Sequence, residues 1–118
     1  MVLLVDDNAE QLELRQMILE HQGFSVATAG SAGEAIGHCG HCDAVVMDLR
    51  LPALGDGLGL IRAFHARAPH TPIVVLSGLP EELTGRPELE MVHRILRKGT
   101  ATSVLIDLLR GAGEPSNP

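Results

Sequence analysis

Five short apolar runs, separated by stretches of helical period or of turn residues, constrain this chain more than any other feature. They lie in the candidate strands Val2 to Val5, Phe24 to Ala29, Ala44 to Leu49, Ile73 to Leu76 and Val92 to Leu96, the third carrying the run Ala44 to Met47 and the fifth interrupted by His93 and Arg94. Strands alternating with helical segments are the signature of βαβ units, and the crossovers between parallel strands lay helices on both faces of the sheet. The continuous apolar character of Ile73-Val74-Val75-Leu76 fits a strand buried on both sides. The expected fold is α/β and doubly wound, a (βα)5 arrangement around a five-stranded parallel sheet.

The segments between the runs carry their own signals. Asn8 followed by Gln11 predicts a capped helix with Leu14, Met17, Ile18 and His21 along one stripe, stopped at Gly23. Ser31 and Glu34 have capping-box spacing and open a short helix with Ala32, Ala35 and Ile36, weakened by Gly33 and Gly37. Pro52, Gly55, Asp56, Gly57 and Gly59 predict a long turn before a helix carrying Leu60, Ile61 and Phe64. Gly85 and Pro87 predict that the segment between Pro80 and Met91 is short or broken. A last helix over Thr102 to Arg110 turns Val104, Leu105, Leu108 and Leu109 inward. Residues 1–110 thus form one domain, and 111–118 read as a disordered C-terminal tail.

Composition narrows the functional classes. With 118 residues, 45% hydrophobic, the chain has two Phe and neither Tyr nor Trp, so stacking on nucleic-acid bases is poorly supplied. A net charge of −6 opposes an electrostatic hold on nucleic acid or an anionic membrane and favours a cationic ligand or metal. No run approaches the roughly 18 apolar residues of a membrane span. Cys39 and Cys42 are too few for a secreted disulfide framework, which predicts a reducing, cytoplasmic setting.

The strand exits gather the chemistry. Asp6 and Asp7 follow the first run, Asp48 the third, Ser77 the fourth and Lys98 the fifth, and in open parallel sheets ligands bind beyond these carboxyl ends. Three carboxylates brought together repel one another unless a cation sits between them, which implies a divalent metal. Mg2+ suits such oxygen donors, with Asp7 and Asp48 as direct ligands.

Taken in order, Leu4-Val5-Asp6-Asp7-Asn8, Val46-Met47-Asp48, Leu51-Pro52, Ser77 and Lys98 resemble the receiver domains of two-component response regulators, over about residues 1–110. The resemblance implies a flavodoxin-like fold and a phosphoryl group taken onto Asp48 from a phosphohistidine on a sensor histidine kinase or histidine phosphotransfer protein. It also implies that the Arg50 carbonyl completes the Mg2+ ligands, that Asp6 acts directly or through water, and that the site slowly hydrolyses its own phosphate. Lys98 neutralises the transferring oxygens and Ser77 hydrogen-bonds them. Arg50 and Leu79, each two positions beyond a site residue, flank the path of the attacking water in related domains. The output partner is then another protein, without direct nucleic-acid or membrane contact, and dimerisation stays open.

Two positions depart from the resemblance. Gly99 follows Lys98 where the family has a proline after a cis bond; a trans bond is predicted, since cis costs a non-proline residue about 2.5 to 4 kcal/mol. Ile95 stands where the family carries Tyr or Phe. Two other readings stay open: a degenerate receiver serving as a phosphorylation-independent interaction module, and an enzyme with an aspartyl nucleophile, for which Arg50 replaces the usual second acid. His38-Cys39-Gly40-His41-Cys42 offers four donors for zinc or copper, but so short a segment can hardly wrap them around one tetrahedral ion. A helix end with partly buried cysteines is the favoured reading there.

Overall fold

The five runs fold as β1 (Val2–Val5), β2 (Val26–Ala29), β3 (Ala44–Asp48), β4 (Ile73–Ser77) and β5 (Arg94–Arg97), one parallel sheet ordered β2-β1-β3-β4-β5. The computed structural model describes residues 1–113. Among the described residues, four helices cover the sheet: α1 (Ala9–His21), α2 (Ala32–Ile36), α3 (Leu54–Arg67) and α4 (Thr102–Gly113). Successive strand residues point to opposite faces, so each strand feeds two cores. Leu3, Val5, Val45, Met47, Ile73 and Val75 pack with Ala35 of α2 and Leu58, Ile61 and Phe64 of α3. Val2, Leu4, Val46, Val74 and Leu76 pack with Leu19 of α1 and Leu105, Ile106 and Leu109 of α4. The doubly wound α/β fold is therefore the fold observed.

The caps form largely as the sequence indicates. The Asn8 carboxamide accepts from the Gln11 N–H, and the Ser31 hydroxyl from the Glu34 N–H. Glu34 reaches back to the N–H of Gly30, one residue before the expected cap. Gly23, at φ +95°, follows the end of α1.

Four expectations need correction. The glycine-rich segment after Pro52 is not a long turn, because α3 already begins at Leu54 and contains Gly55, Gly57 and Gly59. Each helical glycine costs about 1 kcal/mol relative to alanine, but burial of Leu58, Leu60, Ile61 and Phe64 outweighs that, and Asp56 accepts from the Ala53 N–H at the helix start. Gly57 is required: a Cβ there would lie 1.7 Å from the Leu49 carbonyl oxygen.

On α1 the predicted stripe is misphased. Leu14 and Met17 are exposed, Met17 by 65%, and His21 is exposed as well. The inward face holds Leu12, Ile18 and Leu19, and it also carries Arg15, whose charge finds a buried partner described below. On α4, Ile106 is buried with Leu105 and Leu109, while Val104 is exposed. The helix also continues through Gly113, three residues past the expected domain end, and 114–118 of the predicted tail lie outside the described residues.

Between β4 and β5 the chain forms two 3-10 turns, Pro80–Leu83 and Pro87–Met91, separated by Gly85 at φ +78°. This is the predicted broken segment. Buried Glu88 anchors the second turn to α3 by accepting from Arg62 at 2.8 Å, and that hydrogen bond holds its carboxyl below the ordinary range. Among the described residues, no helix is long and apolar enough to cross a membrane.

Candidate functional site

Strand register brings the acidic residues together. Val5 pairs with Met47, so the next residues, Asp6 and Asp48, emerge side by side from adjacent inner strands. Carboxylate oxygens of Asp6, Asp7 and Asp48 all lie within 4.8 Å of one another. Asp6 is only 2% exposed; its Oδ1 accepts from the Asn8 N–H at 2.9 Å and its Oδ2 from Arg15 Nη1 at 2.7 Å. Asp48 is also buried, its Oδ1 accepting from the Arg50 N–H at 3.3 Å and its Oδ2 from Lys98 Nζ at 2.7 Å. Asp7 is exposed and, among the described residues, holds no such cation.

Lys98 reaches this cluster from the end of β5. Its N–H donates to the Ser77 carbonyl at 2.8 Å, and Gly99 turns the chain at φ +92° through the predicted trans bond. Ser77 is buried at the end of β4, and its hydroxyl oxygen accepts from the Leu79 N–H at 3.0 Å. The hydroxyl proton is left to donate. Asp48, Arg50, Ser77, Gly78, Leu79, Glu82 and Lys98 line one cleft of about 220 Å³.

All five strand-exit residues thus converge, and Arg50 joins them through its backbone N–H. Its guanidinium turns instead to Glu82 on the first 3-10 turn. Ile95, in the place of the expected aromatic, is half-buried against the α2–α3 side of the core.

Two contributors escape the sequence reading, Arg15 and Glu82. Arg15 had a signal: a helical face phased on Leu12 and Leu19 includes it. Glu82 had none, since a 3-10 turn shows no period to phase.

An oxygen-only set of three carboxylates at this spacing fits a hard divalent cation such as Mg2+. The His38–Cys42 segment behaves differently. Cys39 and Cys42 pack against the core, and burial raises both thiols, Cys42 to about 11 with Cys39 and Asp43 adding to the effect.

Comparison with known proteins agrees with the geometry. The family model described as response regulator receiver domain matches residues 2–110. The cell cycle transcriptional regulator CtrA of Caulobacter vibrioides is 32% identical over 82 residues, covering 68% of this chain and 35% of that protein. The acid tolerance regulatory protein ActR of Rhizobium meliloti is 30% identical over 99% of this chain and 64% of its own length. The chain thus spans about a third of CtrA. Among solved structures, the receiver domain of NtrX from Brucella abortus superposes with a TM-score of 0.85 at 26% identity, covering 98% of this chain and all of that one. A response regulator of Thermotoga maritima in complex with Mg2+ and BeF has a TM-score of 0.82 at 20% identity, over 94% of this chain and 96% of that one.

Proposed function

Because this chain belongs to the family of response regulator receiver domains, we propose that it accepts a phosphoryl group on Asp48 in the presence of Mg2+. The observation that carries the reading is Asp48 itself, held between Lys98 and the acidic pair at the end of the central strand. Asp6, Asp7 and Asp48, with the Arg50 carbonyl, are the groups that would hold the ion. When bound, Mg2+ offsets the charge of the carboxylates and of the incoming phosphoryl oxygens. The Mg2+–BeF complex of the Thermotoga regulator supports this assignment by analogy.

The chain's own groups supply the rest. A carboxylate oxygen of Asp48 attacks phosphorus, a P–O bond forms, and the bond from phosphorus to the donor imidazole nitrogen breaks with its electron pair going to the ring. Lys98 faces the nucleophile and balances negative charge on the equatorial oxygens, while the Ser77 hydroxyl donates a hydrogen bond to one of them. The donor is a phosphohistidine on a sensor histidine kinase or phosphotransfer protein. The output is a protein contact, made by the domain alone or as a homodimer.

The two unpaired thiols fit a reducing, cytoplasmic setting. Chemistry is confined to the domain's own phosphorylation and slow dephosphorylation, with Arg50 and Leu79 flanking the path of water to the phosphate. Incubation with Mg2+ and acetyl phosphate is expected to add a single phosphoryl mass increment, absent without Mg2+ and absent in Asp48→Asn. A wild-type protein that takes up no phosphoryl group would instead indicate a phosphorylation-independent interaction module. Rapid turnover of small phosphoesters would indicate an enzyme.

A further inference from the structure

We propose that Arg15 is a built-in competitor of the metal: its guanidinium neutralises Asp6 while no divalent ion is bound and weakens the site's hold on Mg2+. The inference rests on the reading that the acidic cluster takes Mg2+. Asp6 is 2% exposed, and a buried carboxylate without a counter-charge is strongly disfavoured. Arg15 supplies that charge at 2.7 Å from Oδ2, with its own side chain only 19% exposed. It lines a small cleft with Leu76, Leu96, Lys98 and Leu105, so it is packed in place rather than waving from the helix surface.

The charge balance follows. Among the described residues, three carboxylates face two cations, Arg15 on Asp6 and Lys98 on Asp48, and Asp7 alone is left uncompensated. An ion touching Asp7 and Asp48 lies within a few ångströms of the Asp6 carboxylate and so of the guanidinium that holds it, and like charges at that range repel. Coupling between two ligands of one site is reciprocal. To the extent that Mg2+ loosens Arg15, Arg15 weakens Mg2+ by the same factor.

The test is a calorimetric titration of the whole chain with MgCl2, because the protein has neither Tyr nor Trp to report binding by fluorescence. Arg15→Met is expected to tighten the Mg2+ Kd by about tenfold, a typical coupling factor, and to enlarge the rise in Tm given by saturating Mg2+. Arg15→Lys, which keeps the charge, returns the Kd towards the wild-type value. Arg62→Met breaks an ion pair on α3 and leaves the Kd unchanged whatever it does to Tm.

A measurement on the wild-type protein guards against a variant that does not fold: the Arg15 guanidinium NMR signal shifts as Mg2+ is added. Mg2+ bound equally well by wild type and Arg15→Met, or an Arg15 signal that ignores the ion, overturns the role of Arg15 while leaving the metal site standing. Wild type and variant that both fail to bind Mg2+ overturn the metal site and this inference together.

Discussion

Strands β1 and β3 bury every one of their residues, whereas β5 is exposed at both ends and only half-buried between. The helical cover differs in the same direction. Beside the inner strands lies the full-length helix α3, while the chain leading into β5 has only two 3-10 turns split by Gly85. Asp6 and Asp48 belong to the densely packed half, and Lys98 arrives from the lightly packed one. The carboxylates that define where chemistry happens are thus fixed, and the cation and the loop that must follow an incoming phosphoryl group sit where local opening costs less. The contrast is physical, and it can be broken.

The largest effect is expected at Gly57, where α3 meets the backbone leaving β3. Gly57→Ala places a methyl group inside the Leu49 carbonyl, so chemical denaturation is expected to show a loss of about 3 kcal/mol or more. A near-neutral result would mean that α3 is not seated on the acceptor loop. The two halves can then be compared with one residue type. Ile73→Ala in β4, fully buried, is expected to cost about 3 kcal/mol, and Ile95→Ala in β5 about 1 kcal/mol. Equal losses would erase the contrast, as would amide exchange in 79–96 as slow as in 44–48.

A smaller effect concerns the loop entering β3. Burial lifts the Cys42 thiol from 9.0 to about 11, so at pH 8 its thiolate fraction, and with it the rate of alkylation, should be roughly a hundredfold below that of an unfolded thiol. The sign for stability follows from the raised folded value. The contribution is full below pH 9 and is lost as pH rises towards 11, because the unfolded thiol ionises first. Alkylation at the free-thiol rate would show that this loop belongs with the loose half. The smallest effect is expected on the outer face of α1, where Leu14→Ser should change stability by no more than about 0.5 kcal/mol, since Leu14 faces solvent.

How much of this could be read from the sequence depends on how local its cause is. The strand exits were legible because a polar residue closing an apolar run is a local pattern, and Asp6, Asp7, Asp48, Ser77 and Lys98 all meet where the topology requires. Gly55, Gly57 and Gly59 misled because glycine disfavours a helix locally, while the carbonyl that demands Gly57 belongs to Leu49 on the neighbouring segment. The stripe of α1 misled because its inward face runs through a charged residue, and counting apolar side chains cannot find a half-buried arginine. The pairing of Arg50 with Glu82 joins residues 32 positions apart through an irregular turn, and no periodicity points to it.

The two ion pairs of the site also differ in how far apart their partners lie along the chain. Asp6 meets Arg15 nine residues on, and Asp48 meets Lys98 fifty residues on. Closing the longer loop costs about 1.5 kcal/mol more chain entropy. Asp6 and its counter-charge both lie within the β1–α1 unit. The acceptor carboxylate takes its lysine from the residues that follow β5, the last strand along the described chain. A nascent chain that has not yet reached residue 98 therefore carries Asp48 without the cation that pairs with it.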